Sequence, residues 1–299
     1  MTKTTKVILG VIIALLLVVV LLLGGIFTVI SGVFGMNEHP NQLAVIDITG
    51  VISSRQAGLS SQASSMRIME QLDQFKGDEN IKGLVLRINS PGGSSAASEA
   101  IYQEVLDYKE TTGNPVVVAM EDVAASGGYY IATAGDKIFA NSSTTTGSIG
   151  VIMQFKDMRE LYDKIGIRNV TFKSGDYKDI GNPDRELTAE EESFLQELVE
   201  EIHEQFVGTI VKERNLEKEK VEELADGRIF TGAQAKEVNL VDQLGNFYRA
   251  VDELEKMAGI EGESKLVYYG HQSLLDIITT SVLSKFNLND NLGFKYQFN

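Results

Sequence analysis

The sequence VVVAM at residues 116–120, followed by VAASGGYY at residues 123–130, sets the architecture predicted for this chain. The apolar run predicts a buried strand, and the residues after Tyr129 predict the start of a packed helix. Ser126 therefore lies among small residues at a strand-to-helix junction, with its hydroxyl exposed and the amide of Gly127 beside it. An acyl-transfer nucleophile needs this geometry, because one turn presents both the attacking oxygen and donors for the developing oxyanion. A tight helix-sheet contact would also require small residues, and the octapeptide alone leaves both interpretations open.

The same alternation of strand and helix continues along the chain. Predicted strands cover residues 43–48, 81–88, 116–120, 137–140, 170–172 and 265–269, and predicted helices cover 64–75, 96–108, 155–165, 188–214 and 246–258. This order predicts an α/β domain with a mostly parallel sheet. Because ligands bind at the carboxyl ends of parallel strands, Gly92-Gly93 and Ser126-Gly127 are expected at the same edge of that sheet.

The N-terminal region differs sharply from the rest in composition. Val7 to Met36 contains no charged residue, Lys3 and Lys6 precede it, and Glu38 is the first charge after it. A run of this length predicts a transmembrane helix, and the positive-inside rule places the N-terminus in the cytoplasm and the remainder outside. An uncleaved anchor is favoured over a signal peptide, whose apolar core is only about 7–15 residues. We therefore expect a cytoplasmic N-terminus and anchor at 1–36 and a linker at 37–42.

The composition excludes several kinds of chemistry. The chain has no cysteine, so disulfides and thiolate catalysis are unavailable, and its formal net charge is −15. An acidic exported domain disfavours nucleic acid as a partner, since phosphate binding depends on basic residues.

A serine nucleophile needs a base, and histidine is a poor candidate here. The chain has three histidines, His39, His203 and His271, and none follows a predicted strand end or a glycine-rich turn. They are expected to be solvated surface groups, so a Ser-His-Asp arrangement is poorly supported. The scarcity of histidine and the lack of cysteine also argue against a zinc site.

Lysine is the remaining base. Lys178 lies between Tyr177 and Asp179 in the turn-rich segment 173–183, and Lys173 in the same segment is a competing candidate. A lysine acts as a base only when neutral, so its pKa would have to fall from about 10.4 towards neutrality, which burial can achieve. Spacing alone does not choose between the two.

Four motifs together resemble a known family. They are NSPGG at 89–93, AASGGY at 124–129, TGSIGV at 146–151 and SGDYK at 174–178. In this order they are similar to the signatures of bacterial signal peptide peptidase A, a family of membrane-anchored Ser/Lys peptidases on the superhelical fold shared by Clp protease and crotonases. The resemblance covers roughly residues 43–270. The chain resembles the short, single-copy form of Gram-positive bacteria. Residues 271–299 are expected to form a C-terminal tail.

The resemblance implies a role for five residues. Ser126 takes the position of the nucleophile and Lys178 that of the general base. Ser148 matches a serine that hydrogen-bonds the base and keeps it positioned and neutral. Gly93 and Gly127 match the two donors of the oxyanion hole.

The resemblance also implies the biological setting. It predicts an extracytoplasmic serine endopeptidase, anchored by a single pass through the cell membrane, that digests remnant signal peptides and other peptides with small or apolar residues at the cut. No metal, nucleotide or organic cofactor is expected. It further implies a ring- or dome-like homo-oligomer in which the lysine of one subunit reaches the serine of its neighbour.

Two other functions remain open at this point. A crotonase-like acyl-CoA enzyme would share the fold and the paired oxyanion glycines. The exported location and the lack of a basic cluster for the phosphates of coenzyme A weigh against it. A non-catalytic, membrane-anchored assembly or stress scaffold is the other alternative, and the intact Ser126 and Lys178 argue against it.

Overall fold

The computed structural model describes residues 15–21, 41–54, 62–262 and 264–268. The strands are β1 (Gln42–Thr49), β2 (Val51–Ser53), β3 (Gln62–Ser64), β4 (Ile81–Ser90), β5 (Val116–Ala125), β6 (Lys137–Ala140), β7 (Thr145–Gly147), β8 (Ile229–Thr231), β9 (Gln243–Leu244) and β10 (Lys265–Tyr268). The helices are α1 (Ser65–Lys76), α2 (Ser95–Thr112), α3 (Gly127–Ala132), α4 (Arg159–Ile165), α5 (Ala189–Arg214), α6 (Lys218–Leu224), α7 (Gly232–Glu237) and α8 (Phe247–Met257), with a 3-10 turn at Asp176–Asp179.

The main sheet has the strand order β10-β1-β4-β5-β6-β9, and these neighbours pair in parallel. Strand β5 has different neighbours along its length: Val117 pairs with β6, whereas Val123 to Ala125 pair with β7. Strand β7 in turn pairs with β8 in antiparallel orientation. The predicted α/β fold with a largely parallel sheet is confirmed. Strand β5 ends at the edge of the sheet where Ser126 lies.

Both faces of the sheet are covered, as a parallel sheet requires. Successive side chains of a strand point to opposite faces. Val117 accordingly belongs to the same buried cluster as Leu254 of α8 on one face, while Val118 belongs to the cluster of Ile101 of α2 on the other. These four side chains are fully buried. This explains why the strands are continuous apolar runs instead of alternating ones.

Two predicted elements differ from the structure. The predicted helix over 155–165 forms only from Arg159 to Ile165. The predicted strand at 170–172 is wrong: these residues are irregular, and Val170 and Phe172 are 78% and 94% exposed. Their β-branched and aromatic side chains favour a strand, but none of the described strands lies beside them to supply the ladder hydrogen bonds.

The wrong strand belongs to a longer exposed segment. None of the residues from 151 to 190 is buried. The segment nevertheless carries large apolar side chains that are at least two fifths exposed, namely Ile152, Met153, Phe155, Leu161, Ile165, Ile167, Val170, Phe172 and Tyr177. We call residues 151–187 the exposed segment.

The predicted membrane anchor lies mostly outside the described residues. Residues 15–21 are helical and belong to a separate unit that ends at Pro40. Within the described ranges, none of the helices has the length and apolar composition needed to cross a membrane. The span over residues 7–36 therefore stays a prediction, as does the tail at 271–299, which also lies outside the described residues.

Candidate active site

Ser126 lies between the end of β5 and the start of α3 in a strained backbone conformation. Its φ is 52° and its ψ is −122°. A non-glycine residue in such a region costs about 1–3 kcal/mol, and the surrounding structure must enforce it. Here the amide of Ser126 donates to the carbonyl of Gly147 over 2.8 Å, and its own carbonyl accepts from the amide of Tyr130 over 2.9 Å. The turn leaves Ser126 partly exposed at the wall of a cavity.

The small residues around Ser126 allow segments to approach closely. A Cβ added to Gly92, whose φ is +98°, would lie 2.9 Å from the Cβ of Ser126. One added to Gly127 would lie 2.3 Å from the Oγ of Ser98, and one on Gly128 would lie 3.0 Å from the carbonyl oxygen of Ser90. The predicted tight contact between helix and sheet is therefore present together with the strained serine.

Two backbone amides lie beside Ser126. In the bridge between β2 and the loop after β4, Ile52 donates to the carbonyl of Gly92 and accepts from the amide of Ser94, each over 2.9 Å. Since alternate residues of an extended chain point in opposite directions, this bridge turns the amide of Gly93 away from β2. The amide of Gly127 is the first of α3 and has no partner within that helix. A Cβ on Gly127 would lie 3.5 Å from the nitrogen of Gly93, so the two amides are close neighbours.

Ser126 opens onto two connected cavities. The first, which we call the inner pocket, has a volume of about 40 Å³. It is mixed in character, and beyond Ser126 its walls include Ser98, Glu99, Tyr130, Ile202, Gln205 and Phe206. The second, the outer groove, is larger at about 580 Å³, and its walls include Ser148, Ile152, Val199, Glu200, His203 and Asp226. Gly93, Gly150 and Val151 border both cavities, so together they form one cleft around the serine.

Ser148 reaches the cleft through the pairing of β5 with β7. Ala125 is in register with Gly147, and Ser148 follows directly with a φ of 49°. Its amide donates to the carbonyl of Arg228 over 2.8 Å, which fixes the turn. The structure therefore brings together four predicted site residues, namely Ser126, Ser148, Gly93 and Gly127.

Lys178 lies elsewhere in the chain. It is exposed on the 3-10 turn of the exposed segment. Neither the inner pocket nor the outer groove has a lysine in its walls, as far as the described residues go. Lys178 is therefore not among the described residues that line the cleft, and its role stays a prediction.

The two candidate lysines differ in the contacts that their side chains make. The ammonium of Lys173 donates to Oδ1 of Asp179 over 2.8 Å and to the carbonyl of Asp176 over 2.7 Å. Lys178 forms no ion pair with the described residues. Lys173 is thus occupied within its own loop, which leaves Lys178 as the better candidate for a base.

His203 differs from its prediction as a solvated group. It is half-buried on α5, it borders the outer groove, and its Nε2 is buried without a hydrogen-bond partner among the described residues. The sequence contained a signal for this partial burial: His203 lies next to Ile202 and three residues before Phe206, and these two residues belong to the apolar stripe of α5. His39 and His271 lie outside the described residues.

The parallel sheet, the strained serine at the end of its central strand and the adjacent glycine amides define an α/β protein of the Clp-protease class. The sequence profile of Clp protease matches residues 46–152. The profile of peptidase family S49 matches residues 109–261, and the chain belongs to this family of serine peptidases.

Individual relatives agree with this assignment. A candidate signal peptide peptidase SppA of Enterococcus faecium is 39% identical over 218 residues, which cover 72% of this chain and 63% of that protein. A candidate protease of Synechocystis sp. is 40% identical over 220 residues, covering 74% and 76%. The chloroplastic serine protease SPPA of Arabidopsis thaliana is 33% identical over 236 residues, covering 78% of this chain but 35% of that protein. The match thus spans less than two thirds of the enterococcal relative, and the resemblance predicted from the four motifs is confirmed.

Proposed function

We propose that this chain hydrolyses peptides with Ser126 as the nucleophile and Lys178 as the general base. The observation that carries the proposal is the strained Ser126, with a φ of 52°, beside the amides of Gly93 and Gly127 in an open cleft. Strain of this kind persists where the fold enforces it, and it is common at catalytic residues. A serine needed only for packing would not require it.

The reaction follows from this arrangement. Neutral Lys178 takes the hydroxyl proton of Ser126 as Oγ attacks the peptide carbonyl carbon, and the carbonyl oxygen becomes an oxyanion between the amides of Gly93 and Gly127. Lys178 then passes the proton to the leaving amine, which yields an acyl-enzyme ester. Water gives a proton to the same lysine as it attacks the ester carbon; the bond from that carbon to Ser126 Oγ then breaks, and Lys178 returns the proton to Oγ as the acid leaves. Each oxyanion donor is expected to contribute about 3 kcal/mol to the barrier reduction.

Ser148 suits a supporting role for the base. It borders the same groove as Ser126. It also directly follows Gly147, whose carbonyl accepts the hydrogen bond from the amide of Ser126. Its hydroxyl could accept a hydrogen bond from the lysine amine and orient the lone pair towards Ser126. We propose that it positions Lys178 in this way.

We propose that Lys178 reaches Ser126 from a second copy of the chain, within a homo-oligomeric ring or dome. Lys178 is exposed, and the described walls of the cleft contain no lysine. The exposed segment that carries it presents apolar side chains such as Phe172 to water. Several large apolar side chains exposed in one segment are expected where another protein chain binds.

The substrates we propose are remnant signal peptides and other peptides with small or apolar residues at the cut. The name of the enterococcal relative supports this, and so do the apolar walls that Tyr130, Ile202 and Phe206 give to the inner pocket. The apolar run from Val7 to Met36 would anchor the enzyme by a single pass, with its N-terminus in the cytoplasm and the peptidase domain outside.

The test is hydrolysis of an internally quenched, apolar peptide by the full chain in detergent. Ser126→Ala and Lys178→Ala should each lower kcat by about 10³-fold or more, as loss of a nucleophile or its base does in other serine hydrolases. Lys220→Ala, on helix α6 and outside the described walls of the cleft, should behave as wild type. Full activity of Ser126→Ala, or turnover of acyl-CoA thioesters in place of peptides, would contradict the proposal.

A further inference from the structure

Arg185 makes an unusually complete set of contacts with two carboxylates. Its Nε and Nη2 donate to both carboxylate oxygens of Asp179 over 3.0 and 2.7 Å. Its Nη1 and Nη2 donate to both carboxylate oxygens of Glu191 over 2.8 and 2.6 Å. Nη2 also lies 3.2 Å from the main-chain carbonyl oxygen of Asp179. Paired bonds of this kind fix direction as well as distance, because the guanidinium is a rigid planar fork.

Glu191 provides the fixed end of this linkage. Its side chain is only 5% exposed, and its Oε2 also accepts the amide of Thr188 over 2.9 Å in the capping box of α5. Helix α5 runs from Ala189 to Arg214, and its second half is buried in the core through Phe206 and Ile210. Arg185 is therefore tied to the beginning of a helix that the core holds in place.

The 3-10 turn provides the other end. Asp179 follows Lys178 directly in this four-residue turn, and none of the four residues is buried. Burial of apolar side chains therefore does not hold the turn. Its main-chain bonds are local, such as the one from the amide of Lys178 to the carbonyl of Gly175 over 3.1 Å. The ring of Tyr177 lies beside that of Phe194, 5.4 Å between centroids, and this is an exposed contact.

We propose that Arg185 is a positioning residue for Lys178, holding the lysine-bearing turn against the start of α5 through Asp179 and Glu191. The inference rests on the proposed role of Lys178 as general base. A base on an otherwise unburied turn would sample many positions, and a misplacement of about 1 Å can cost about 100-fold in rate. Arg185 touches neither substrate nor the reacting atoms, so it acts only through Lys178.

The experiment compares Arg185→Met, Arg185→Lys and Asp179→Asn in the full chain, with Arg249→Met as the control. Arg249 also bonds a carboxylate, that of Asp252, but it lies on α8, outside the exposed segment and outside the described walls of the cleft. We expect Arg185→Met and Asp179→Asn to lower kcat by about 10- to 100-fold with KM changed less than about 3-fold. Arg185→Lys should fall between Arg185→Met and wild type, because it keeps the charge but loses the fork. Arg249→Met should match wild type.

A second readout separates positioning from general stability. Hydrogen exchange of the amides at 173–182 should accelerate in Arg185→Met, while the amides of β5 and the oligomeric mass stay unchanged. Wild-type kcat in Arg185→Met would overturn the inference. So would a loss of activity that is matched by global unfolding or by disassembly in both Arg185→Met and Asp179→Asn. If Lys178→Ala keeps its activity, the proposed function itself fails, whereas an inactive Lys178→Ala beside a fully active Arg185→Met refutes only the role of Arg185.

Discussion

The amide of Ser126 donates to the carbonyl oxygen of Gly147 over 2.8 Å, and this bond joins the candidate nucleophile to the turn that carries Ser148. It continues the parallel pairing of β5 with β7, in which Ala125 lies opposite Gly147. Both serines have positive φ, 52° at Ser126 and 49° at Ser148. Two strained turns are thus held against each other by one strand pair, so the distance between the two hydroxyl-bearing residues is set by the sheet.

The strain at Ser126 gives a prediction about stability. Glycine adopts positive φ without steric cost, whereas alanine keeps the strain. We expect Ser126→Gly to be more stable than Ser126→Ala by about 1 kcal/mol, after glycine's entropic cost is subtracted from the strain relieved. Thermal unfolding of the two inactive variants measures this difference.

The control is Ser193, which is exposed inside helix α5. There glycine should be less stable than alanine, again by about 1 kcal/mol, because glycine is a poor helix former. If the glycine variant were less stable than the alanine variant at position 126 as well as at position 193, Ser126 would not be strained in the folded protein.

Local patterns predicted most of the fold. The apolar runs gave β1, β4, β5 and β6, and Thr188 with Glu191 gave the start of α5 through a capping box that the structure contains. The strand-to-helix turn at Ser126 was also predicted, although its small residues alone left a tight helix-sheet contact open as the reason for them.

Features that depend on distant partners were not readable from sequence. The exposed strand candidate at 170–172 lacks a neighbouring strand, and His203 reaches the outer groove only because α5 packs over the cleft. The linkage of Asp179 to Glu191 through Arg185 joins a turn to a helix start twelve residues away. Charge patterns along the chain do not show which carboxylate an arginine will bind. The position of Lys178 relative to Ser126 depends, on our proposal, on a second copy of the chain.

The exposed segment gives a prediction about assembly. Phe172 is 94% exposed, and Phe172→Ser should weaken oligomerisation and lower activity, because it removes an apolar side chain from the proposed interface. Analytical ultracentrifugation in detergent, together with the peptide assay, measures both. Tyr248→Ser is the matched control, since Tyr248 is 70% exposed on α8 and lies outside the segment. Equal oligomeric mass for both variants and wild type would contradict the prediction.

Sharing of active sites gives a separate prediction. When Ser126→Ala and Lys178→Ala chains are assembled together, a site can receive its serine from one chain and its lysine from the other. Randomly mixed oligomers at equal amounts should regain about a quarter of wild-type kcat, since each required residue is present in half of the chains.

The mixing experiment needs proof that mixed oligomers form. Two different affinity tags, purified in sequence, provide it. Assemblies made from either variant alone should stay inactive. Verified mixed assemblies without any activity would show that Ser126 and Lys178 act within one chain or not at all.

The carboxylates bound to Arg185 make the start of α5 sensitive to acid. Hydrogen bonds from Arg185, and then the amide of Thr188, lower the pKa of Glu191 from an ordinary value near 4.5 to about 2. A carboxyl whose pKa is lower in the folded chain stabilises the fold fully above its unfolded pKa, and this contribution is lost as the pH falls through the folded value.

Glu191→Gln keeps an acceptor for the capping box but loses the charge. We therefore expect it to unfold at a lower temperature than wild type at pH 6, with the difference vanishing as the pH falls from about 4.5 towards 2. Glu186→Gln, at a side chain that is 75% exposed, should differ little from wild type at either pH. A difference between Glu191→Gln and wild type that stays constant from pH 6 to pH 2 would mean that the charge of Glu191 does not stabilise the folded chain.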